Sequence, residues 1–377
     1  MEKTKINSKP KLLFVVTEDW YFVSHRLPLA IAALEAGFDV AVATRIRLHA
    51  DMIQKAGIRL ISFEMSRRAG NPLRELMALV LLYRRERPDI VHHVALKPIL
   101  YGSMAVWLGG LPAQVNAVAG LGWLFISRSP LAHFMSRIIR WLLARSLSAP
   151  RCRVIVQNPD DAKLLSQSGV PESRLRMIRG AGVDTEVFSP SPDPAEPICI
   201  VLVARILWDK GVGEFVEAAR SLKQPELSAR FVLVGEPDAN NPASIPEETL
   251  SSWKKENVVE WVGHCDDMAA IYSTAHVVCL PSYREGLPKV LIEAAACGKP
   301  IVTTDVPGCR EVVRDGDNGL LVPVRDSKAL ADAILRLIEN NELRVQMGKR
   351  SREIALADFS SERINAQTLD IYRELIE

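Results

Sequence analysis

The sequence has little net charge, no paired-cysteine motif and no long apolar run. Its 47 lysines and arginines nearly balance 45 aspartates and glutamates, for a net charge of +2. No global field therefore argues for nucleic acid, and any basic character that matters must be local. The six cysteines are Cys152, Cys199, Cys265, Cys279, Cys297 and Cys309, and no two stand at CxxC spacing. That spacing argues against a zinc or dithiol redox site. Several lie in apolar runs, as in Val277-Val278-Cys279-Leu280, and read as reduced core residues of a cytosolic protein. The opening run Leu12–Val16 is too short for a signal-peptide core. The longest apolar stretch elsewhere, Leu76–Tyr83, falls far below the roughly 20 residues that span a bilayer. The expectation is a cytoplasmic chain, soluble or peripheral at the membrane. No GxSxG, HExxH or P-loop pattern occurs, so the hydrolase and kinase readings that rest on them have no support.

What is present is ample core. The chain has 377 residues, 48% of them hydrophobic and 24% charged, enough for two domains. In the first half, short apolar runs alternate with helical patterns. Strands are expected at Leu12–Thr17, Val40–Thr44, Arg59–Phe63, Ile90–His92, Ala113–Val118 and Arg153–Gln157. Helices are expected at Pro28–Ala36, Leu73–Arg85, Ile99–Leu108, Pro130–Leu147 and Asp160–Ser168. The second half repeats the scheme. Its strands are expected at Ile198–Val203, Arg230–Val234, Val258–Trp261, Val277–Leu280 and Pro300–Thr303. Its helices are expected at Gly213–Leu222, Pro246–Lys255, Met268–Ala275, Pro288–Ala296 and Ser327–Glu339. Regular alternation implies parallel sheets covered by helices on both faces, an α/β fold of two Rossmann-like, doubly wound domains. Pro190, Pro192, Pro194 and Pro197 mark a linker. The expected domains are 1–190 and 191–360, with a last helix, Ser361–Ile376, returning to the first. Ligands of such sheets sit at the strand carboxyl ends, here in a cleft that the two domains face.

The segment Glu285-Gly286-Leu287-Pro288-Lys289-Val290-Leu-Ile-Glu293 follows an apolar strand directly. Gly286 and Leu287 make a turn, and Pro288 stands at the expected first helical position, where its missing N–H costs nothing. The free N–H groups of that turn, with the helix dipole, form an anion site suited to a diphosphate. Glu285 and Glu293 flank it. At about 1.5 Å per residue they stand roughly 10 Å apart, too far for a glycosidase pair but suited to hydroxyls at the two ends of a nucleotide sugar.

This string resembles the E-x7-E motif of the family-4 retaining glycosyltransferases, which have the GT-B fold. The resemblance implies that Glu285 holds the donor sugar, Glu293 the ribose, and the stretch Gly286, Leu287, Pro288, Lys289 and Val290 the diphosphate. Val201-Leu-Val-Ala-Arg205-Ile-Leu-Trp-Asp-Lys210-Gly211 is similar to the family's GR…KG element and implies that Arg205 and Lys210 reach the donor phosphates. Two fixed cations there stabilise most the charge that grows on a departing nucleoside diphosphate. Gly180-Ala-Gly-Val-Asp184-Thr-Glu-Val-Phe188-Ser-Pro190 resembles its GVD hinge. Gly235, Gly263 and His264 stand where such enzymes bind the base. The resemblance implies a UDP-sugar co-substrate and no metal.

The first half carries the acceptor side. Ser24-His25-Arg26-Leu27-Pro28, the Asp89–Pro98 stretch with His92, His93 and Lys97, and Gln114–Gly122 with Gly120 are similar to a subgroup that builds bacterial lipid-linked glycans. The nearest likeness is to polyprenyl-diphosphate-linked N-acetylgalactosaminyl transferases. It implies that His25, Arg26, His92, His93, Lys97 and Gly120 face the acceptor. Many members of the family carry a histidine after the strand Ala113–Val118. Here it is missing, and backbone of Ala119 and Gly120 stands in its place. The 128–145 stretch aligns His133, Arg137 and Arg140 against Phe134, Ile138, Trp141 and Leu142. With Arg67, Arg68, Arg74, Arg84, Arg85 and Arg87 it suggests a basic face toward the cytoplasmic membrane, the alternative being a helix that packs its apolar face in the core.

Rival readings are weaker. Asp315-Gly-Asp317 has the Asp-x-Asp spacing of metal-dependent transferases but lies in "VRDGDNGLLV", which reads as a hairpin-like turn. Gly211-Val-Gly213 fails the dinucleotide fingerprint because residue 216 is valine. A transferase with a soluble acceptor, or a nucleotide-sugar binding module without transfer, stays open.

Overall fold

The structure is a computed structural model that describes residues 9–65, 70–109, 112–118, 141–224, 227–239 and 241–377. It divides into two compact units, Met1–Ala181 with Ser361–Glu377, and Gly182–Ser360.

In the first unit, β1 (Lys11–Glu18), β2 (Asp39–Arg45), β3 (Arg59–Ser62), β4 (Ile90–Val94), β5 (Ala113–Ala117), β6 (Cys152–Val156) and β7 (Leu175–Met177) form one sheet in the order 3-2-1-4-5-6-7. In the second, β8 (Ile198–Val203), β9 (Ala229–Val234), β10 (Glu260–Gly263), β11 (Val277–Leu280), β12 (Ile301–Thr304) and β13 (Gly319–Val322) take the order 10-9-8-11-12-13. All ladders are parallel.

Burial on both faces explains why the strands are apolar throughout rather than alternating with polar residues. In β8, Ile198, Ile200 and Leu202 join one core cluster, while Cys199, Val201 and Val203 join the other. In β1, Leu12, Phe14 and Val16 face one layer, and Leu13 and Val15 the opposite one. The period of two thus splits one run between two cores.

The strand order places a switch point between β1 and β4 and another between β8 and β11. Connections leave such neighbours toward opposite edges, which opens a crevice at their carboxyl ends.

Several boundaries differ from expectation. Residues 182–190 pack with the second unit: Val183 N–H donates to Phe359 O (2.9 Å), and Arg352 donates to Thr185 O (2.9 Å) and Phe188 O (2.8 Å). Within the proline stretch that follows, Pro194 is held by His276, which donates to its carbonyl (3.1 Å). Strand β10 lies two residues beyond its expected place. The "VRDGDNGLLV" turn is not a hairpin, because β13 pairs in parallel with β12. Its acids have internal uses: Asp315 accepts the N–H of Leu321 (2.9 Å), and both Asp317 oxygens accept from Arg350 Nε (3.1 Å). The helix Ser361–Ile376 lies on the first unit and brings Tyr372 to His92. Of the expected helix 130–147, residues 141–147 are helical and 130–140 lie outside the described residues.

Candidate active site

The carboxyl edge of the second sheet collects the residues that the sequence singled out there. Arg205 follows β8, Gly235 follows β9, Gly263 ends β10, and Glu285 follows β11.

Two loops meet at the β8/β11 switch. After β8 the chain makes a short 3-10 turn, Trp208–Lys210, and Gly211 adopts φ +71°. A Cβ on Gly211 would strike the carbonyl of Pro281, so only glycine lets the two loops touch. Tyr283 N–H donates to Asp209 O (2.9 Å) across the same junction. The contact seats Lys210 Nζ 2.6 Å from Glu285 Oε1, both side chains being largely buried. Charge-assisted pairs of this length are strong when shielded from water. Behind them, Tyr283 donates to Glu214 (2.6 Å), Arg325 stacks on the Tyr283 ring at 4.6 Å, and Thr304 donates to Ser282 O. Gly308 has no room for a side chain because its Cβ would meet the carbonyl of Gly286.

The helix after this loop is Lys289–Ala296, with Pro288 as its N-cap rather than its first residue. Leu291 and Ile292 donate to Pro288 O. The first-turn N–H groups of Lys289 and Val290 have no acceptor among the described residues, as expected of a helix start. Glu293 is buried one turn farther on. It pairs with Lys289 (3.1 Å) and accepts from the Tyr272 hydroxyl (3.1 Å), which also lies 3.1 Å from Val290 O. Burial raises the Glu293 carboxyl above its ordinary range, and Lys289 pulls it back.

Arg205, more exposed, donates to Asp238 (2.8 Å). Gly235, at φ +133°, lies against the Ala204 carbonyl, where a Cβ would collide. Its N–H donates to Gly263 O (2.7 Å), and its carbonyl accepts from the Trp261 indole (2.8 Å). His264 is exposed and lies 3.0 Å from Asp266. Among the described residues no group of His, Cys, Asp or Glu could hold a metal ion.

In the first unit, His25 ends the short helix Asp19–His25 and stacks on Tyr21 at 4.1 Å. Arg26 is only 4% exposed, and its guanidinium has no hydrogen-bond or ion-pair partner among the described residues. Lys97 pairs with Glu75 (2.8 Å). Gly120 lies outside the described residues.

His92 and His93 are corrected. Both sit within β4, fully buried on opposite faces of the sheet. His93 is held by the Tyr83 hydroxyl (2.7 Å) and by Asn116 Oδ1 (2.8 Å), in space that Gly102 leaves by lacking a Cβ. Burial lowers its pKa to about 4. His92 stacks on Phe14 (5.1 Å) and bonds Tyr372. Neither reaches a surface where an acceptor could touch it. Sequence reasoning also passed over Tyr272, Tyr283, Glu214 and Asp238. Each is a partner across the fold, with no local motif to announce it.

Residues 184–354 match the family described as Glycosyl transferases group 1, and residues 11–148 match Glycosyl transferase 4-like. The chain belongs to the group 1, family-4-like glycosyltransferases. It is 28% identical over 369 residues to the N,N'-diacetylbacillosaminyl-diphospho-undecaprenol α-1,3-N-acetylgalactosaminyltransferase of Campylobacter jejuni, covering 93% of this chain and 95% of that one. It is 24% identical to the UDP-Gal:α-D-GlcNAc-diphosphoundecaprenol α-1,3-galactosyltransferase of Escherichia coli, covering 81% of this chain and 80% of that one. The structure of Anabaena HepE, in complex with UDP and glucose, superposes with a TM-score of 0.80 at 19% identity over 97% of this chain and 99% of HepE. Sucrose-phosphate synthase of Thermosynechococcus elongatus gives 0.79 at 22% identity, over 97% and 99% of the two chains. Both likenesses are of fold. The glycosyltransferase is thus a GT-B enzyme with two parallel-sheet, Rossmann-like domains. Among the described residues no helix is long and apolar enough to cross a membrane.

Proposed function

We propose that this glycosyltransferase moves an N-acetylhexosamine from a UDP donor, with retention, onto a polyprenyl-diphosphate-linked saccharide in bacterial surface glycan synthesis. The observation that carries the donor side is the meeting of the Lys210–Glu285 pair with the unpaired first-turn N–H groups of Lys289 and Val290 at the carboxyl edge of β11. Lys210 and Arg205 bind the donor phosphates. Both now hold carboxylates, Glu285 and Asp238, which keep the cations placed until the diphosphate arrives. The loop Gly286–Val290 supports the diphosphate through its N–H groups, Pro288 excepted. Glu285 turns to the sugar hydroxyls and Glu293 to the ribose. Gly235, Gly263 and His264 frame the base.

In the transfer step an oxygen of the departing phosphate accepts the acceptor's proton on the face from which the sugar leaves. The C–O bond to the acceptor forms on that same face. Charge growing on the phosphate is met by Lys210, Arg205 and the helix start, groups already fixed before the reaction. No protein base and no metal enter this scheme.

On the acceptor side, the buried guanidinium of Arg26, without a partner among the described residues, suits an anionic group, here the acceptor diphosphate, with His25 next to it in sequence and Lys97 in the same unit. The helix Pro72–Glu86 supports a membrane-facing role. Leu73, Met77 and Leu81 are 73%, 54% and 61% exposed at i, i+4 and i+8, an apolar stripe that ends at Arg84, Arg85 and Arg87. Such a pairing of apolar stripe and basic end suits an anionic bilayer surface.

The test is release of nucleoside diphosphate from UDP-, GDP- and ADP-sugars, with and without a polyprenyl-diphosphate-linked saccharide. Release from UDP-N-acetylhexosamine that needs the lipid-linked acceptor is the expected result. Release from a GDP-sugar, or transfer to a soluble saccharide alone, would overturn the donor or acceptor assignment separately. The stereochemistry of the product checks retention.

A further inference from the structure

The residues placed on the donor side lie at or beyond the carboxyl ends of strands. The opposite edge of the second sheet, where the strands begin, holds a polar cavity of about 260 Å³ that the transfer scheme leaves unused. It is lined by Ser191, Asp193, His276, Gly298, Lys299 and Arg344, among others. His276 immediately precedes β11, and Lys299 stands two residues before β12.

Most polar groups there have settled partners. His276 Nδ1 accepts the Cys199 N–H (3.0 Å), so its Nε2 bears the proton and donates to Pro194 O (3.1 Å). Burial lowers the His276 pKa, which keeps the ring neutral. Arg344 donates to Leu337 O (2.7 Å), Ile338 O (2.8 Å) and Asn341 Oδ1 (2.9 Å), with no carboxylate among them.

Two groups have none. Lys299 is 3% exposed, its head opens on the cavity, and among the described residues the ammonium makes no hydrogen bond or ion pair. The Ser191 hydroxyl is also buried and has no partner among the described residues. Lysine is almost never buried without a partner, because an uncompensated charge away from water is costly. Burial holds the Lys299 ammonium below its ordinary range, and the Asp193 carboxylate, too far for an ion pair, only partly offsets this. Lys299 and Arg344 both face Asp193, and Glu196 also acts on Arg344, so the Lys299 ammonium is the head left without a close carboxylate.

We propose that this cavity is a second binding site, for a phosphoryl group, held by the Lys299 ammonium and the Ser191 hydroxyl with the Arg344 charge beside them. The donor count selects phosphate over carboxylate. Lys299 brings three unused donors and Ser191 one, more than a two-oxygen carboxylate needs and well matched to a phosphate. Lysine binds phosphate as a point charge and needs no bidentate geometry. An occupant would tie the 191–193 stretch to the start of β12 and to the helix Asn341–Asp358, and so stabilise the second unit against unfolding.

The experiment titrates the full chain with inorganic phosphate at constant ionic strength. Thermal unfolding and isothermal calorimetry are followed in the wild type, Lys299→Gln and Asp193→Asn. A hexose 1-phosphate and citrate serve as parallel ligands. Phosphate should raise Tm in the wild type, bind at least tenfold more weakly to Lys299→Gln, and bind severalfold more tightly to Asp193→Asn, where a competing negative charge is gone. Equal affinity for both phosphoryl ligands would identify free phosphate as the source, and tighter binding of the ester a phosphorylated metabolite. The proposal fails if phosphate leaves the wild type unchanged, if citrate binds and phosphate does not, or if both variants respond as the wild type does. That last result would place the phosphate at Arg205 and Lys210 instead. Should Lys299→Gln not fold, Asp193→Asn decides alone, and unchanged affinity there refutes the site.

Discussion

Replacing Glu293 by glutamine separates ribose binding from chemistry. The change keeps the side-chain volume and removes the charge. Its cost to folding should be small. Lys289 is partly exposed and can turn to water, and the Tyr272 hydroxyl keeps Val290 O as an acceptor. With Lys289 28% exposed and Glu293 only 7%, the loss of the pair is eased mainly by hydration of the lysine head. The cost to binding is larger. A hydrogen bond to a charged group contributes about 1.5–3 kcal/mol. One carboxylate receiving two ribose hydroxyls loses one such bond to the amide and has the other weakened. A net loss of about 2–3 kcal/mol corresponds to roughly 30- to 150-fold weaker binding of UDP. The loss should fall on KM of the donor and leave kcat within about threefold, because the ribose is held alike in ground and transition states. Calorimetry with UDP and initial rates at saturating acceptor would measure both. UDP affinity within threefold of wild type, in a variant that melts normally, would refute the assignment of Glu293 to the ribose. A fall in kcat with KM unchanged would move Glu293 to the transferred sugar.

Lys210→Met should lower kcat/KM by about 10²–10³, the usual cost of removing a group that meets transition-state charge. Because Lys210 and Glu285 touch, the double variant with Glu285→Gln should lose less than the sum of the single losses, as a double-mutant cycle on rates would show. Gly211→Ala combines a positive φ with a collision against Pro281 and should cost at least about 2 kcal/mol in urea denaturation, with donor affinity falling as the loops part. Part of the pH dependence of stability follows from His93, next to His92, whose pKa burial also lowers. The folded His93 pKa of about 4 lies below the ordinary 6.5, so the unfolded chain binds the extra proton first. Its contribution is complete above pH 6.5 and is lost as pH falls toward 4, by roughly 3 kcal/mol. The slope should flatten in His93→Asn, and an unchanged slope would remove His93 as its source. Leu73→Ser, Met77→Ser and Leu81→Ser together should leave Tm nearly unchanged, since the side chains are exposed. They should reduce cosedimentation with anionic vesicles at least tenfold, and full retention would dissociate this stripe from the membrane.

Much of the architecture is legible in the sequence. Strands β8 and β11 and the helices Ser327–Glu339 and Ser361–Ile376 fall where the apolar periodicity put them. Burial on both sheet faces leaves no other pattern for a strand, and capping residues bound the helices sharply. Asp326, for one, accepts the Ala329 N–H (2.8 Å). Short elements were not legible. The helix Asp19–His25 has too few turns to show a period, and β13 hides in a glycine-rich stretch that resembles a hairpin turn until β12 is seen beside it.

The sequence by itself determined the chemistry available at the site. Glutamates, cations and a helix start after a strand carry their charges and orphan N–H groups wherever the chain places them. Only the tertiary structure decided which of these groups meet. Lys210 and Glu285 are 75 residues apart and touch because β8 and β11 are neighbours at a switch point. His92 and His93 read locally as strand-end histidines near a ligand, yet β4 runs on through Val94 and packs both rings between sheet and helices. Strand order and layer thickness are properties of the whole fold, so pairings across strands and the depth of a side chain are settled only there.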